Sequence, residues 1–190
     1  MSIATPLFEG TLVRLGPIDH EKDPEVVSRW SHDAGFMRMM YTDPMRPLSP
    51  WQVKKELEKL EKSIEEERNL FHFRIHSRND DRLLGFAEIN WITWTNACGF
   101  VRLGIGEAAD RRQGYGSEAL GLLLYYAFVE LNLYRLSAVI PAYNFGAQVF
   151  FKGFGFQEEV RRRQALERDC QYWDQLHFGL LANEWKERHQ

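Results

Sequence analysis

The chain has 190 residues, a formal net charge of -3, 44% hydrophobic and 27% charged side chains, a balance that suits a single soluble globular domain over 1–190. That charge gives no drive toward nucleic acid, and the one dense basic run, Arg161-Arg162-Arg163, reads as a solvated strand edge. Cys98 and Cys170 have no Cys-x-x-Cys or Cys/His spacing and no leader precedes them, so neither a disulfide nor a metal site is expected and the expected setting is a reducing cytoplasm.

Residues 8–15, Phe-Glu-Gly-Thr-Leu-Val-Arg-Leu, alternate well enough for a first strand centred on Leu12 and Val13. Asp23-Pro24-Glu25 supplies an N-cap, a proline at the first helical position and an acid in the first turn. A helix is predicted through Val26, Val27 and Trp30, ending near Asp33-Ala34-Gly35. Phe36-Met37-Arg38-Met39-Met40-Tyr41, followed by prolines at 44, 47 and 50, reads as an adaptable loop that lines a pocket, or equally as a core plug. Ser49-Pro50-Trp51-Gln52 matches a capping box, and Val53, Leu57, Leu60 and Ile64 recur at helical spacing, giving a helix over about 50–67.

Phe71, Phe73 and Ile75 alternate with His72, Arg74 and His76 in a strand, and residues 77–81 turn the chain into a second strand from Leu83 to about Thr93. On that strand Leu84, Phe86, Glu88, Asn90 and Ile92 are expected to share one face. A carboxylate among apolar neighbours makes Glu88 a candidate general base; the ordinary alternative is an ion-paired or solvent-facing position. After a turn at 94–97, Gly99 to Gly106 alternates as a strand, with Val101, Leu103 and Ile105 on one side and Phe100, Arg102 and Gly104 on the other.

Glycines and arginines then fill residues 107–116 before an apolar helix from Ser117 to about Leu131. Glycine lets backbone N–H groups approach a ligand, and a helix start offers unpaired donors and the positive end of its dipole. The combination suits an anion such as a pyrophosphate, with an ordinary strand-to-helix turn as the alternative. The apolar run itself, interrupted by Gly121, Glu130 and Asn132, is too short to span a bilayer. Arg135 to Ile140 reads as a short buried strand, and Asn144 is placed to cap a helix through Phe151 that Gly153 or Gly155 ends. Two strands, 156–160 and 172–180, joined by a turn around Glu167-Arg168-Asp169, precede a final Glu184-Trp185-Lys186.

In this order and spacing, the strand, Arg111-x-x-Gly114-x-Gly116, the apolar helix, Asn144 and Gly155-Phe156 resemble the GNAT superfamily of acyl-CoA-dependent N-acyltransferases. Gly104-Ile105-Gly106, Gly114-Tyr115-Gly116-Ser117-Glu118-Ala119-Leu120, Leu131-Asn132-Leu133-Tyr134-Arg135 and Glu184-Trp185 are most similar to its ribosomal-protein-alanine (RimJ/RimL-like) branch. Leu12-Val13-Arg14-Leu15 and Trp30 resemble that branch's opening strand and the end of its first helix. The resemblance covers almost the whole chain. It implies an α/β fold, a mixed and strongly twisted central sheet with helices on both faces and a V-shaped splay between two parallel strands. The implied reaction is direct acetyl transfer from acetyl-CoA to an amine in a ternary complex, without a metal, in a protein that often pairs as a homodimer.

By the same resemblance, backbone near Leu103, Gly104 and Ile105 meets the acetyl oxyanion, Arg111, Arg112, Gln113, Gly114, Tyr115, Gly116 and Ser117 hold the pyrophosphate, and Asn144 contacts coenzyme A or its thiolate end. Trp30, Phe36, Met40, Tyr41, Trp91 and Trp94 are the expected acceptor pocket. Two positions depart from the pattern. Phe151 stands where many relatives carry a tyrosine acid, and Arg102 where many carry a glutamate, leaving Glu88 or a water chain as the base. A thiol of pKa about 8.5 leaving as thiolate at pH 7 is unfavourable by only about 2 kcal/mol, so loss of the tyrosine is tolerable. Without a strong base, an α-amine of pKa about 7.7–8.0 is a better acceptor than a lysine near 10.4. A polyamine, amino acid or antibiotic amine, and a degenerate acyl-CoA-binding module, are the competing readings.

Overall fold

The computed structural model describes residues 6–188. One sheet contains β1 (Val13–Gly16), β2 (Phe71–Ser77), β3 (Leu83–Thr93), β4 (Cys98–Ile105), β5 (Arg135–Pro141), β6 (Gln157–Arg168) and β7 (Gln171–Leu181), in the order β1-β2-β3-β4-β5-β7-β6. Every neighbouring pair is antiparallel except β4 and β5. Those two pair only at Cys98–Arg135, Gly99–Leu136 and Phe100–Ser137 and then part, which forms the V of the expected mixed α/β sheet.

Alternation along β4 decides what lies on each side of the V. Val101, Leu103 and Ile105 pack into the larger core with Leu120, Leu123 and Leu124 of α4 (Tyr115–Tyr125) and Phe151 of α5 (Phe145–Gly153). Gly104, of opposite parity, lies against Met40 and Phe86. There α1 (Asp23–Ser31) and α2 (Ala34–Met40) bring Trp30, Phe36 and Met37 into a second cluster with Leu83 and Phe86. Behind them runs α3 (Pro50–Glu67), which opens with the expected Ser49/Gln52 capping box. A π-helical turn, Tyr126–Glu130, extends α4, and α6 (Ala182–Glu187) follows β7.

Several elements differ from the sequence reading. The first strand begins at Val13, because residues 8–12 fold back so that Leu15 N donates to Phe8 O and Gly10 N to Val13 O. Asp23 is the first helical residue, not the cap; its carboxylate accepts from Asp19 N and pairs with Arg74. The supposed loop at 36–41 is α2, nucleated by Asp33, whose side chain accepts from Gly35 N and Phe36 N. Leu84 and Ile92 do not share the Phe86 face but join the larger core. The register shifts at Ile75/His76 and again beyond Asn90, where Trp91 has φ 50°, so strict alternation fails at both ends of β3. The last hairpin is longer than expected and turns at Asp169-Cys170, with φ 53° and 58°.

The folded-back segment is tied to the start of α4 by one carboxylate. Glu118 accepts from the N–H groups of Thr11, Leu12 and Val13, each at 2.7 Å, and from the Thr11 hydroxyl at 2.6 Å. Burial raises its pKa, but the Thr11 hydroxyl and the N–H groups of Val13, Leu12 and Thr11 outweigh that, so it lies below the ordinary carboxylate value. A depressed folded pKa contributes stability above the unfolded value, near 4.3, that is lost as pH falls through the folded value. Glu118→Ala is expected to lose about 1–2 kcal/mol at pH 7 in urea unfolding, a deficit that shrinks as both proteins are taken below about pH 4.

Candidate active site

On the α4 side of the V, β4 leads through residues 106–114 into a helix that begins without a side-chain cap. Gly114, the N-cap, has φ 88°, a conformation that a side chain would strain. At Gly116 a Cβ would sit 3.6 Å from Leu103 and Ile105, so this glycine leaves a shallow step beside β4 rather than a forbidden volume. The unpaired N–H groups of the first turn, Tyr115 to Ser117, therefore border the parted strands. That cradle fits a pyrophosphate. Arg112 and Gln113 are exposed beside it. Arg111 is otherwise engaged: its Nε donates to Ile105 O at 3.1 Å and its Nη2 to Gly106 O, with Asp33 at 3.4 Å and the ring of Phe36 beneath it. It braces the turn after β4.

On the opposite face, a cavity of about 410 Å³ lies between the sheet and α1, α2, α3 and the 41–48 loop. The sheet supplies His72, Arg74, Phe86, Glu88 and Arg102. Trp30, Phe36, Met37 and Tyr41 form the wall toward α1 and α2. The two faces meet at β4, where Gly106 lets the Trp30 indole lie on the chain and a Cβ would overlap it. Gly104 likewise admits Met40, whose Sδ is 3.0 Å from where a Cβ would be.

Glu88 lies at the centre of the polar floor, with its side chain 4% exposed. It forms an ion pair with Arg102 at 2.9 Å, and accepts from His72 Nδ1 at 3.0 Å and Asn90 Nδ2 at 2.7 Å. Burial raises its pKa, but the His72 hydrogen bond and the charge of Arg102 outweigh this and hold the carboxyl below its usual range. Burial holds the His72 imidazole below its ordinary value, against the opposing pull of Glu88. The Arg102 guanidinium is flanked by the rings of Tyr41 and Phe86 at 5.1 and 5.3 Å. Arg74 pairs with buried Asp23 at 2.8 Å.

Of the residues expected to form the acceptor pocket, Trp30, Phe36 and Tyr41 line this cavity and Met40 packs at its β4 edge. Trp91 and Trp94 do not: both are exposed, Trp91 edge-on to Phe100, and Trp94 against Phe71 with its Nε1 donating to Arg68 O. Asn144 caps α5 by accepting from Ala147 N at 3.1 Å, while its Nδ2 donates to Met39 O at 3.2 Å, so both ends of the amide are engaged within the protein. Phe151 is turned into the core against Phe150 and Phe156. His72 and Arg74 were missed by strand alternation, which assigns them to a solvent side; the sheet is covered on both sides, and Arg74 is 2% exposed beside Ile75 at 0%. Among the described residues no group of three or more His, Cys, Asp or Glu side chains is placed to hold a metal, and no helix is long and apolar enough to cross a membrane.

A parted parallel pair, with a glycine-led helix on one face and a cavity on the other, is the architecture of a GNAT-type domain. Residues 13–157 match the Acetyltransferase (GNAT) domain family, and the chain belongs to that family. GNAT acetyltransferases use acetyl-CoA. The chain is 30% identical over 128 residues to the probable N-acetyltransferase YjcK of Bacillus subtilis, covering 65% of this chain and 66% of that one. It is 29% identical over 75 residues to the uncharacterized N-acetyltransferase YnaD of the same organism, covering 40% of this chain and 44% of that one. The matched segment thus spans under half of YnaD and just under two thirds of YjcK. The spermidine N-acetyltransferase from Vibrio cholerae, solved in complex with CoA and spermine, has the same fold, with TM-score 0.79, 17% identity and coverage of 93% of this chain and 99% of that one.

The glycines on β4 and α4 separate two kinds of constraint. Gly106→Ala, which drives a methyl into the Trp30 indole, is expected to lose roughly 1–3 kcal/mol in chemical denaturation. Gly116→Ala meets only ordinary contacts and is expected to be neutral or stabilising by up to about 1 kcal/mol in the same measurement.

Proposed function

We propose that the protein moves the acetyl group of acetyl-CoA onto a primary amine by direct attack in a ternary complex. The observation that carries this reading is the V between β4 and β5, with the uncapped start of α4 on one face of β4 and, on the other, the polar cavity that Arg102 of β4 lines. The backbone N–H groups of Gly114, Tyr115, Gly116 and Ser117 take the pyrophosphate, with Arg112 and Gln113 beside them, while Arg111 shapes the turn. Backbone of Leu103, Gly104 and Ile105, paired to β3 but no longer covered by β5, faces the thioester, and an N–H group on that open edge serves the oxyanion. Asn144 fixes the approach of α2 to the mouth of the V.

The amine enters from the cavity side, past Trp30, Phe36 and Tyr41. Glu88 is committed to two hydrogen-bond donors and the ion pair with Arg102 and is held anionic, so its role is to orient its neighbours and compensate their charge. With no strong free carboxylate base and no phenol at Phe151, an acceptor that is already partly neutral near pH 7 is favoured. This supports an α-amine, as in the RimJ/RimL-like branch with its protein N-termini, over a lysine-type amine or the polyamine of the Vibrio cholerae enzyme. The free cysteines, Cys98 half-buried and Cys170 exposed, suit a cytoplasmic setting.

An amine panel spanning peptide N-termini, amino acids, lysine side chains and polyamines, read by thiol release and product mass spectrometry, tests the assignment. Acceptor-dependent thiol release supports transfer; tight acetyl-CoA binding without release from any acceptor makes the protein an acyl-CoA-binding module instead. Gly114→Val, which forces a β-branched residue to φ 88°, is expected to weaken coenzyme A binding by about tenfold or more in calorimetry. Unchanged affinity would locate the phosphates elsewhere.

A further inference from the structure

We propose that the cavity beneath α1 and α2 receives a small zwitterionic amine, carrying a carboxylate and an apolar body, with Arg74 holding the carboxylate and His72 the amino group. This rests on the reading of that face as the acceptor side and names the substrate class it selects. The starting observation is a set of buried polar atoms without hydrogen-bond partners on residues that line the cavity: Arg102 Nε, which is taken up by its ion pair with Glu88, and Arg74 Nη2, His72 Nε2 and Trp30 Nε1, which are not. The Arg74 and His72 side chains are only 3% and 5% exposed. Buried groups of this kind are expensive to leave unpaired, and three around one cavity describe the polar pattern of a ligand.

The pattern can be read atom by atom. An ionised Glu88 can only accept, so the proton between it and His72 belongs to Nδ1. Burial keeps the imidazole neutral near pH 7, which leaves Nε2 as a bare acceptor. Arg74 Nη2 and Trp30 Nε1 are donors. The vacant valences on the strand floor are thus one donor, Arg74 Nη2, suited to a carboxylate oxygen, and one acceptor, His72 Nε2, suited to an ammonium N–H, while Trp30 Nε1 lies against the β4 backbone at Gly106.

Charge selects among amines in the same direction. Arg74 is neutralised by Asp23 and Arg102 by Glu88, so the buried floor is close to zero net charge. A zwitterion leaves that balance unchanged. A polyamine would bring two or more positive charges beside Arg46, Arg74 and Arg102, against Glu56 of α3, the lining carboxylate outside those ion pairs. About 410 Å³ walled by Phe36, Tyr41, Phe86 and Leu57 suits a compact apolar body.

The groups that face His72 are Arg74 on its own strand, Glu88 and Phe86 on β3, Arg102 on β4, Tyr41 in the loop and Glu56 on α3. In the reaction, the ammonium gives a proton to His72 Nε2, and the freed nitrogen lone pair forms a C–N bond to the thioester carbonyl carbon. The C–S bond then breaks, with its electron pair leaving on sulfur. Two protons leave the nitrogen in all, one ending on the thiolate and one passing to solvent.

The test pairs L-leucine, L-methionine and L-phenylalanine with their decarboxylated amines, alongside spermidine, in calorimetry with coenzyme A present and in thiol release. The expected result is that at least one amino acid exceeds its own decarboxylated partner and spermidine by about tenfold or more in kcat/KM and in affinity. Arg74→Lys, which keeps a charge facing Asp23 but lacks the guanidinium fork, is expected to erase that preference. Equal or better use of the decarboxylated amines or spermidine would overturn the proposal, and this comparison needs only the wild-type protein. His72→Gln, which can still donate to Glu88, is expected to lower kcat about tenfold or more near pH 7 and less at pH 9; an unchanged kcat at pH 7 removes His72 from the proton transfer. Thiol release with spermidine but not with amino acids would leave transfer intact and sink the zwitterion. Amino-acid binding without thiol release from any amine would sink transfer and keep the cavity assignment.

Discussion

After Phe100 and Ser137, β4 and β5 each carry a backbone edge that no neighbouring strand covers, although both remain fully paired on their other sides, to β3 and β7. Buried N–H and C=O groups must find partners, so this parting is the feature around which the remaining elements are arranged. Gly104 and Gly106 let side chains from α1 and α2 lie directly on the exposed end of β4. On the other face, α4 starts beside Leu103 and Ile105 with its first-turn donors free of side-chain caps. The same few residues of β4 therefore border both the glycine-led start of α4 and the helices that cover the cavity, an arrangement that suits the proposed ternary-complex reaction.

A second constraint is the price in free energy of burying charge. Glu88, Arg74 and Asp23 would each be costly alone, and the ion pairs Glu88–Arg102 and Arg74–Asp23 reduce that cost without exceeding it by much. Such a cluster contributes little to stability that an apolar floor could not match. Its value is specificity, because paired charges fix where the remaining free valences point. The departure at Arg102 and the carboxylate of Glu88 are linked in this way: in the strand register Arg102 stands opposite Glu88, and Glu88 opposite His72, so one residue on each of three adjacent strands builds a single unit.

Where the sequence was legible, one periodicity or one cap dominated. Ser49 and Gln52 announce α3, the alternation of Phe71, Phe73 and Ile75 announces β2, and Asn144 announces α5. It failed where two signals overlapped. Asp33-Ala34-Gly35 reads as a helix end, yet Asp33 is the cap of the next helix, and seven residues of α2 are too few to show a period. Along β6 nearly every side chain is exposed, so no buried face marks its length. The glycine loop was visible because its conformational demands are local, whereas the His72 and Arg74 site depends on helices packing over a strand face that alternation alone assigns to solvent. Trp91 and Trp94 were drawn into the pocket by residue type, but the bulge at Trp91 turns that end of β3 away from α2.

The position of α2 connects the two halves of the site. Its Met40 lies on Gly104 of β4, while its Arg38 and Met39 carbonyls accept from Tyr143 at 3.0 Å and Asn144 at 3.2 Å, beyond the end of β5. The long hairpin reaches the same place: Arg38 pairs with Asp169, and Arg168 Nη2 donates to carbonyls of Tyr41, Thr42 and Asp43. A helix pinned to both arms of a V cannot move without changing the spacing of those arms or breaking these bonds. Since the same helix supplies Phe36 and Met37 to the cavity, its placement sets the shape of the cavity and the mouth of the V together. The bonds holding it are hydrogen bonds and an ion pair at exposed positions, each worth little net free energy beside water, so burial of Phe36 and Met37 against Trp30, Leu83 and Phe86 contributes more to its placement.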